Sequence, residues 1–404
     1  MNILILGNGD EELYWAQWFL DRPEHHLVGG FPGFPEADLP LPFAPYADLD
    51  AALAIPGVDL VIVGGEPEFR MESLRRVAAL GWPSICLHPP GPDSEAYYQV
   101  SLSREETGAV IIPDIPLRLH PGIRKIQAIL KEGTLGKLQN LRFEVPIKAG
   151  DEDLLSLFSN LVDAVRAVAG EPEAIWAMGQ PRGTTPRTSL TVYLDMAGEV
   201  RAEISLFQPY SDFRRMFLNC EHGSMVFDHN PDSLWPAKLN IHAGNSGTET
   251  IAYENWIPYD ALFDVVELSL TMRGQSGRTL PHPNLDDGIR AMELTEAVVR
   301  SLKRERKINL HFQAISEEAN FKSVMTSTGC MILLAILFVL PLSIAGKALG
   351  LPFLIYVSYL IPFALGVFIL MQMLRLAVRP SPSGRNNREP SAKASDEGLD
   401  VESI

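Results

Sequence analysis

Cysteine is scarce in this 404-residue chain: only Cys86, Cys220 and Cys330 occur, odd in number and widely spaced. Neither a disulfide framework nor a zinc ligand set can be built from them, so they read as small buried hydrophobes. Positive charge is also in short supply, with 34 Lys and Arg against 50 Asp and Glu and a net charge of −16. Neutralising phosphates needs clustered basic side chains, so nucleic acid is excluded as the expected partner. A third absence is a basic start followed by a long apolar core. The first residues instead carry Asp10, Glu11 and Glu12, and no secretory signal is expected. No internal repeat stands out.

What is present is an ordinary globular mix, 46% apolar and 21% charged, with its apolar surplus near the end. The run TSTGCMILLAILFVLPLSIAG lies in an uncharged stretch from Ser323 to Gly346, and a second uncharged stretch runs from Ala348 to Leu374. Each exceeds the ~20 residues a helix needs to cross a bilayer, and only Lys347 separates them. The expectation is a transmembrane hairpin over 327–375, in contact with membrane lipid, with Pro341 and Pro362 tolerated inside it. Lys322 and Arg375, Arg379, Arg385 and Arg388 flank the pair. The positive-inside rule then makes this an integral membrane protein with a cytoplasmic body. Residues 313–326 read as a linker, and the Pro-, Ser- and charge-rich 376–404 as a disordered tail.

In the body, continuous apolar strands alternate with helices. Asn2–Leu6 (NILIL) ends in Gly7-Asn8-Gly9, a helix follows over Glu11–Leu20, and strands recur at His26–Gly29, Val58–Gly65, Ser84–Leu87 and Val110–Pro113. Helices are expected over Glu68–Leu80 and Pro92–Thr107. This is the pattern of a parallel sheet covered on both faces, and its first glycine turn is where such sheets bind dinucleotides. Beyond about Arg118 the pattern changes. A helix at Ile123–Glu132 leads into strands of alternating polarity, at Leu138–Val145, Ser189–Met196, Glu199–Phe207, Arg214–His222 and Ser224–Asp228, closed by a helix over Asp286–Arg304. Alternation predicts an open, mostly antiparallel sheet with one packed face. Trp15 and Trp18 share one helix face and read as core.

Four segments stand in colinear order: PGVDLVIVGGEPEFR, AALGWPSICLHPPG, RLHPGIRKIQAILKEGTLGKLQNLRFE and LDDGIRAMELTEAVVRSLKRERKINL. Together they resemble the glucose–fructose oxidoreductase / inositol dehydrogenase (Gfo/Idh/MocA) family over about residues 1–312. The resemblance implies an α/β fold with an N-terminal Rossmann domain (1–118) and a C-terminal α/β domain with an open, mostly antiparallel sheet (119–312). It also implies NAD or NADP in the Rossmann crevice, with a small polyol or sugar between the domains. Pairing of copies through the open sheet face, hence a homo-oligomer, follows from it too. Gly7, Asn8, Gly9, Gly65 and His88 would face the cofactor.

The residues that would do the family's chemistry are replaced. A dinucleotide loop wants a third glycine for close helix–strand packing, and Glu12 stands there, competing with pyrophosphate for the same amides. Gly30, Phe31 and Pro32 occupy the region of the ribose-gripping acid, leaving Glu36 and Asp38 in the next loop. The family's Glu-Lys-Pro corresponds to His88-Pro89-Pro90, with Pro89 in place of the lysine and without a titratable group. The family's helical Asp and His, four residues apart, correspond to Ser156 and Asn160, followed by Asp163. Neither Ser nor Asn titrates at neutral pH, and loss of one acid/base group typically costs ~10²–10⁴ in rate. Asp151, Glu152 and Asp153 read as a helix cap, and no metal is expected. Arg118 and His120 are candidates to line the interdomain cleft. The sequence thus points to a catalytically degenerate oxidoreductase homologue with a weakened cofactor site, acting as a nucleotide- or ligand-binding or scaffolding module. The alternatives are an active oxidoreductase with a relocated acid, His88 or His120 first, and a purely structural assembly protein.

Overall fold

A computed structural model describes residues 1–33, 46–148, 153–181, 185–231, 234–244, 247–272 and 281–310. The first apolar runs form the strands β1 (Asn2–Leu6), β2 (His26–Phe31), β3 (Leu60–Val63), β4 (Ser84–Leu87) and β5 (Ile111–Asp114). They pair in parallel in the order β2-β1-β3-β4-β5. Residues Ile3–Leu6 are wholly buried, as a strand covered on both faces requires. The helices between them are α1 (Asp10–Leu20), α2 (Leu49–Leu53), α3 (Pro67–Ala79) and α4 (Glu95–Thr107). Chain order reverses across β1 and β3, so the crevice at their carboxyl ends is the ligand-binding switch point of such a sheet.

Beyond a 3-10 turn at Pro116–Leu119 comes α5 (Pro121–Glu132), stopped by Gly133 at φ 72°. Only glycine takes that left-handed value at no steric cost. Strands β6 (Leu138–Pro146), β7 (Pro172–Gln180), β8 (Ser189–Met196), β9 (Arg201–Phe207), β10 (Arg214–Cys220), β11 (Gly223–His229), β12 (Ala237–Ala243), β13 (Thr248–Tyr253) and β14 (Ile308–Asn309) form one sheet. Its order is β13-β12-β11-β10-β6-β9-β8-β7-β14. All its pairings are antiparallel except β6 with β9. The alternation of β8, with Leu190, Val192, Leu194 and Met196 buried, turns one face onto α6 (Leu154–Ala169) and α8 (Leu285–Arg304). α8 opens with a capping box in which Asn284 and Asp287 satisfy each other's backbone N–H groups.

Two late elements return to the first sheet. α7 (Pro258–Met272), which the sequence reading left unassigned, lays Leu262, Phe263 and Val266 against Trp15, Trp18 and Phe19. The start of α8 packs Leu285, Ile289 and Met292 against Tyr97. A buried ion cluster pins this arrangement. Arg118 lies 3.0 Å from Asp163 on α6 and 2.9 Å from Asp287 on α8, and Arg166 reaches Asp163 at 2.9 Å. Residues Met1–Phe312 accordingly form one compact unit.

The expectation of an integral membrane protein is corrected here. Among the described residues no helix is long and apolar enough to cross a membrane. The longest, α8, carries Asp286, Asp287, Arg290 and Glu293 along its length and is amphipathic. The runs at 327–375, the linker 313–326 and the tail 376–404 lie outside the described residues, as does Cys330. Cys86 and Cys220 are buried.

Candidate functional site

The turn between β1 and α1 keeps the backbone of a dinucleotide loop. Gly7 sits at φ +130°, a region only glycine enters freely, and its N–H bonds Phe31 O at 2.8 Å across β2. Gly9 is the N-cap of α1, with no side chain capping the helix. Asn8 is exposed and, among the described residues, donates only to Gly33 O, at 3.4 Å. Glu12, however, is turned inward and only 2% exposed. Its Oε1 accepts the N–H of Gly65, at the start of the loop after β3. A Cβ placed on Gly64 would fall 2.5 Å from Glu12 Cδ and 2.7 Å from Cγ, and one on Gly9 would fall 2.8 Å from Oε2. The hollow ringed by Gly7, Gly9, Gly64 and Gly65, where a pyrophosphate would lie, is filled by this carboxylate. At the end of β2, Phe31 packs on Phe69 with ring centroids 5.9 Å apart and no carboxylate stands on the strand; Glu36 and Asp38 lie outside the described residues. The residues present therefore do not fit a dinucleotide.

Next to this blocked half is an open one. A cavity of about 250 Å³ is lined by Glu11, His88, Asp114, Asn160, Arg214 and Tyr259, among others. It lies between the carboxyl ends of β4 and β5 on one side and α6 on the other. The structure thus brings together His88 and Asn160 and leaves Ser156 and Pro89 out of the lining. Ser156 donates to Asp153 Oδ2 at 2.7 Å, and Asp153 also accepts from Leu155 N at 3.0 Å. Both are spent on the helix start, the cap expected of the acidic cluster; Asp151 and Glu152 lie outside the described residues. Pro89 contributes its carbonyl, which accepts from Arg70 Nη1 at 2.5 Å while Nη2 bonds Gly65 O at 2.7 Å. One guanidinium thereby braces the loops after β3 and β4.

His88 has no free ring nitrogen. Nδ1 lies 3.1 Å from the Tyr97 hydroxyl and Nε2 lies 2.6 Å from Ser159 Oγ. Burial, with the nearby Arg70 charge, lowers its pKa to about 3, so the imidazole is neutral at physiological pH. His120, the other candidate acid, is fully buried. It serves as N-cap of α5, its Nδ1 accepting from Gly122 N at 3.0 Å. It packs on Phe227 and Trp256, with ring centroids 4.9 and 4.7 Å away, and does not line the cleft. Nor does Arg118, whose charge is engaged by Asp163 and Asp287. Burial raises Asp163, against the pull of Arg118. For Asp287 burial is outweighed by the His282 hydrogen bond and the two arginines, and the carboxyl stays low.

Asp114 is the titratable group sequence reading missed. It ends β5 at the cleft, and its Oδ2 accepts from Trp15 Nε1 at 3.0 Å. Burial pushes its pKa up to about 7, despite that hydrogen bond and the Arg70 charge. The signal was available: a carboxylate closing the apolar run VIIPD, at the end of a parallel strand where ligands bind. Arg214 and Tyr259 left no such trace, since one begins an antiparallel strand and the other lies on the unassigned α7. A larger hollow, about 410 Å³, borders β7 and β8 and is lined by Trp176, Met178, Gln180 and Thr191 among others; it contains none of the predicted residues.

No family model matches this chain, and no curated protein matches it. Solved structures do. An oxidoreductase from Agrobacterium radiobacter, in complex with NAD+, L-tartaric acid and magnesium, superposes with a TM-score of 0.61 at 14% identity, covering 76% of this chain and 98% of that one. Aldose–aldose oxidoreductase from Caulobacter crescentus, complexed with glycerol, gives 0.62 at 18%, covering 77% and 99%. A levoglucosan dehydrogenase, in complex with NADH and levoglucosan, gives 0.62 at 13%, covering 77% and 100%. These neighbours are Gfo/Idh/MocA-type NAD-binding oxidoreductases. At such identities the likeness establishes the fold alone: a Rossmann-like parallel sheet joined to a mixed sheet.

Proposed function

We propose that this chain is a catalytically degenerate oxidoreductase homologue that binds a small polyhydroxylated molecule or hydroxy acid in the cleft beside His88 and Asn160. The lining of the cleft carries the reading. Of the positions expected to move protons, only His88 and Asn160 face it. His88 is held neutral with both nitrogens engaged, and Asn160 has no exchangeable charge. What remains suits recognition of hydroxyls and carboxylates: an amide at Asn160, a guanidinium at Arg214, a phenol at Tyr259 and the carboxyl groups of Glu11 and Asp114. The volume lies just below the ~300–1,000 Å³ usual for ligand pockets, which favours an occupant the size of a glycerol, tartrate or single sugar. The fold neighbours carry such molecules.

Calorimetry of the purified chain against glycerol, tartrate and monosaccharides tests this. Saturable binding that Asn160→Ala weakens about tenfold or more supports it. Turnover of any alcohol with a nicotinamide at enzyme-like rates overturns it. A second reading keeps acid–base chemistry in the cleft, with Asp114 as the relocated acid; its position at the cleft and its pKa near 7 favour this. Turnover lost in Asp114→Asn would select it.

A further inference from the structure

We propose that Glu12 is a built-in occupant of the phosphate cradle, and that this one side chain closes an otherwise complete dinucleotide diphosphate site. The backbone beneath it is that of a working loop. Gly7 holds the positive φ of a tight turn. Gly9 leaves the start of an 11-residue helix uncapped by any side chain, so the N–H groups of the first turn remain directed at the crevice, where an anion is favoured by the helix dipole. The opposite wall, Gly64-Gly65, has no side chains to obstruct a ligand. All of this lies at the β1–β3 switch point.

Into that frame Glu12 inserts its carboxylate. Oε1 takes the Gly65 N–H, and Oε2 lies against Gly9, 2.8 Å from where a Cβ would stand. The small residues that permit close approach of a phosphate here permit close approach of a carboxylate. The exclusion is one of volume first and charge second, because the Glu12 side chain fills the hollow whether or not it is ionised. Asp10 and Glu11 add negative charge at the mouth and hold any binding in an opened variant to modest strength. Among the described residues β2 presents no carboxylate to a ribose, so NADH and NADPH are both used as probes.

This inference concerns the blocked half of the crevice and stands whether or not the open half binds a polyol. The test is titration of NADH and NADPH fluorescence with wild type, Glu12→Ala and Glu12→Gln, each with its fold verified by circular dichroism. Wild type should show no saturable binding. Glu12→Ala should bind both dinucleotides saturably, at least about tenfold more tightly than the weakest binding the titration detects. Glu12→Gln, equal in bulk but uncharged, should remain closed. Three results overturn the proposal: saturable binding by wild type, a folded Glu12→Ala that gains nothing, or a Glu12→Gln that gains as much as Glu12→Ala. Should Glu12→Ala not fold, the wild-type and Glu12→Gln arms still decide, since saturable binding by either contradicts occupancy by volume.

Discussion

Nε2 of His88 lies 2.6 Å from Ser159 Oγ, a buried bond that ties the loop after β4 to the middle of α6. With Tyr97 on the other ring nitrogen, the imidazole acts as a spacer between the two sheets' domains. Leaving a buried polar group unsatisfied costs about 1–3 kcal/mol. Ser159→Ala should therefore lower the free energy of urea unfolding by that amount, and a loss below about 0.5 kcal/mol would show that the bond contributes nothing.

Neutral burial of histidine also sets an acid limit. Burial lowers His88 and His229 to about 3 and His120 to about 4, against an ordinary 6.5. For a depressed folded-state pKa, the stabilising contribution is full above the unfolded value and is lost as pH falls toward the folded one. Between pH 6.5 and about 4 these three rings consequently weaken the fold as acid is added. In NMR, their ring-proton shifts should show no titration step from pH 8 to 5, and a step near 6.5 for any of the three contradicts this.

Asp114 works in the opposite direction. Its carboxyl is raised from 3.8 to about 7 by burial. A raised folded-state pKa contributes stability that is complete below the unfolded value and lost as pH climbs to the folded one. Asp114→Asn mimics the protonated form and keeps an acceptor for Trp15. It should melt at least about 2 °C higher than wild type at pH 8 and show little gain at pH 4. Equal shifts at both pH values would mean that Asp114 ionises normally.

The ion cluster is expected to be unforgiving. Arg118, Asp163 and Asp287 have side chains 10%, 1% and 6% exposed. Removing one partner from a buried pair typically costs about 3–5 kcal/mol, because the other charge stays buried without compensation. Arg118→Met should lose that much in denaturant unfolding, whereas breaking the exposed pair Arg75–Glu72 should cost at most about 1 kcal/mol.

The first sheet was legible because its strands are short continuous apolar runs between glycines, and NILIL, VDLVIVGG and SICL each became a strand. The alternating strands β8 to β11 and the capped α8 were legible for the same reason: period and caps are local properties. α7 was not, because the partner surface that makes its apolar residues a helix face, Trp15 to Phe19, lies about 240 positions earlier in the chain. At the site, the replacements at Pro89, Ser156 and Asn160 could be read in sequence, but which of them faces the cleft could not. Ser156 lies one turn nearer the helix start than Asn160, where its hydroxyl bonds Asp153. Asp114 needed the tertiary fold, since burial is the largest of the influences that move its proton affinity.

The return of α7 to the first sheet fixes an order of events during synthesis. Trp15, Trp18 and Phe19 leave the ribosome early, but the surface that covers them, Leu262 to Val266, emerges only after most of the second sheet has been made. The parallel sheet must wait with one flank bare, and a chain halted before Pro258 would present three large aromatic side chains to chaperones and proteases.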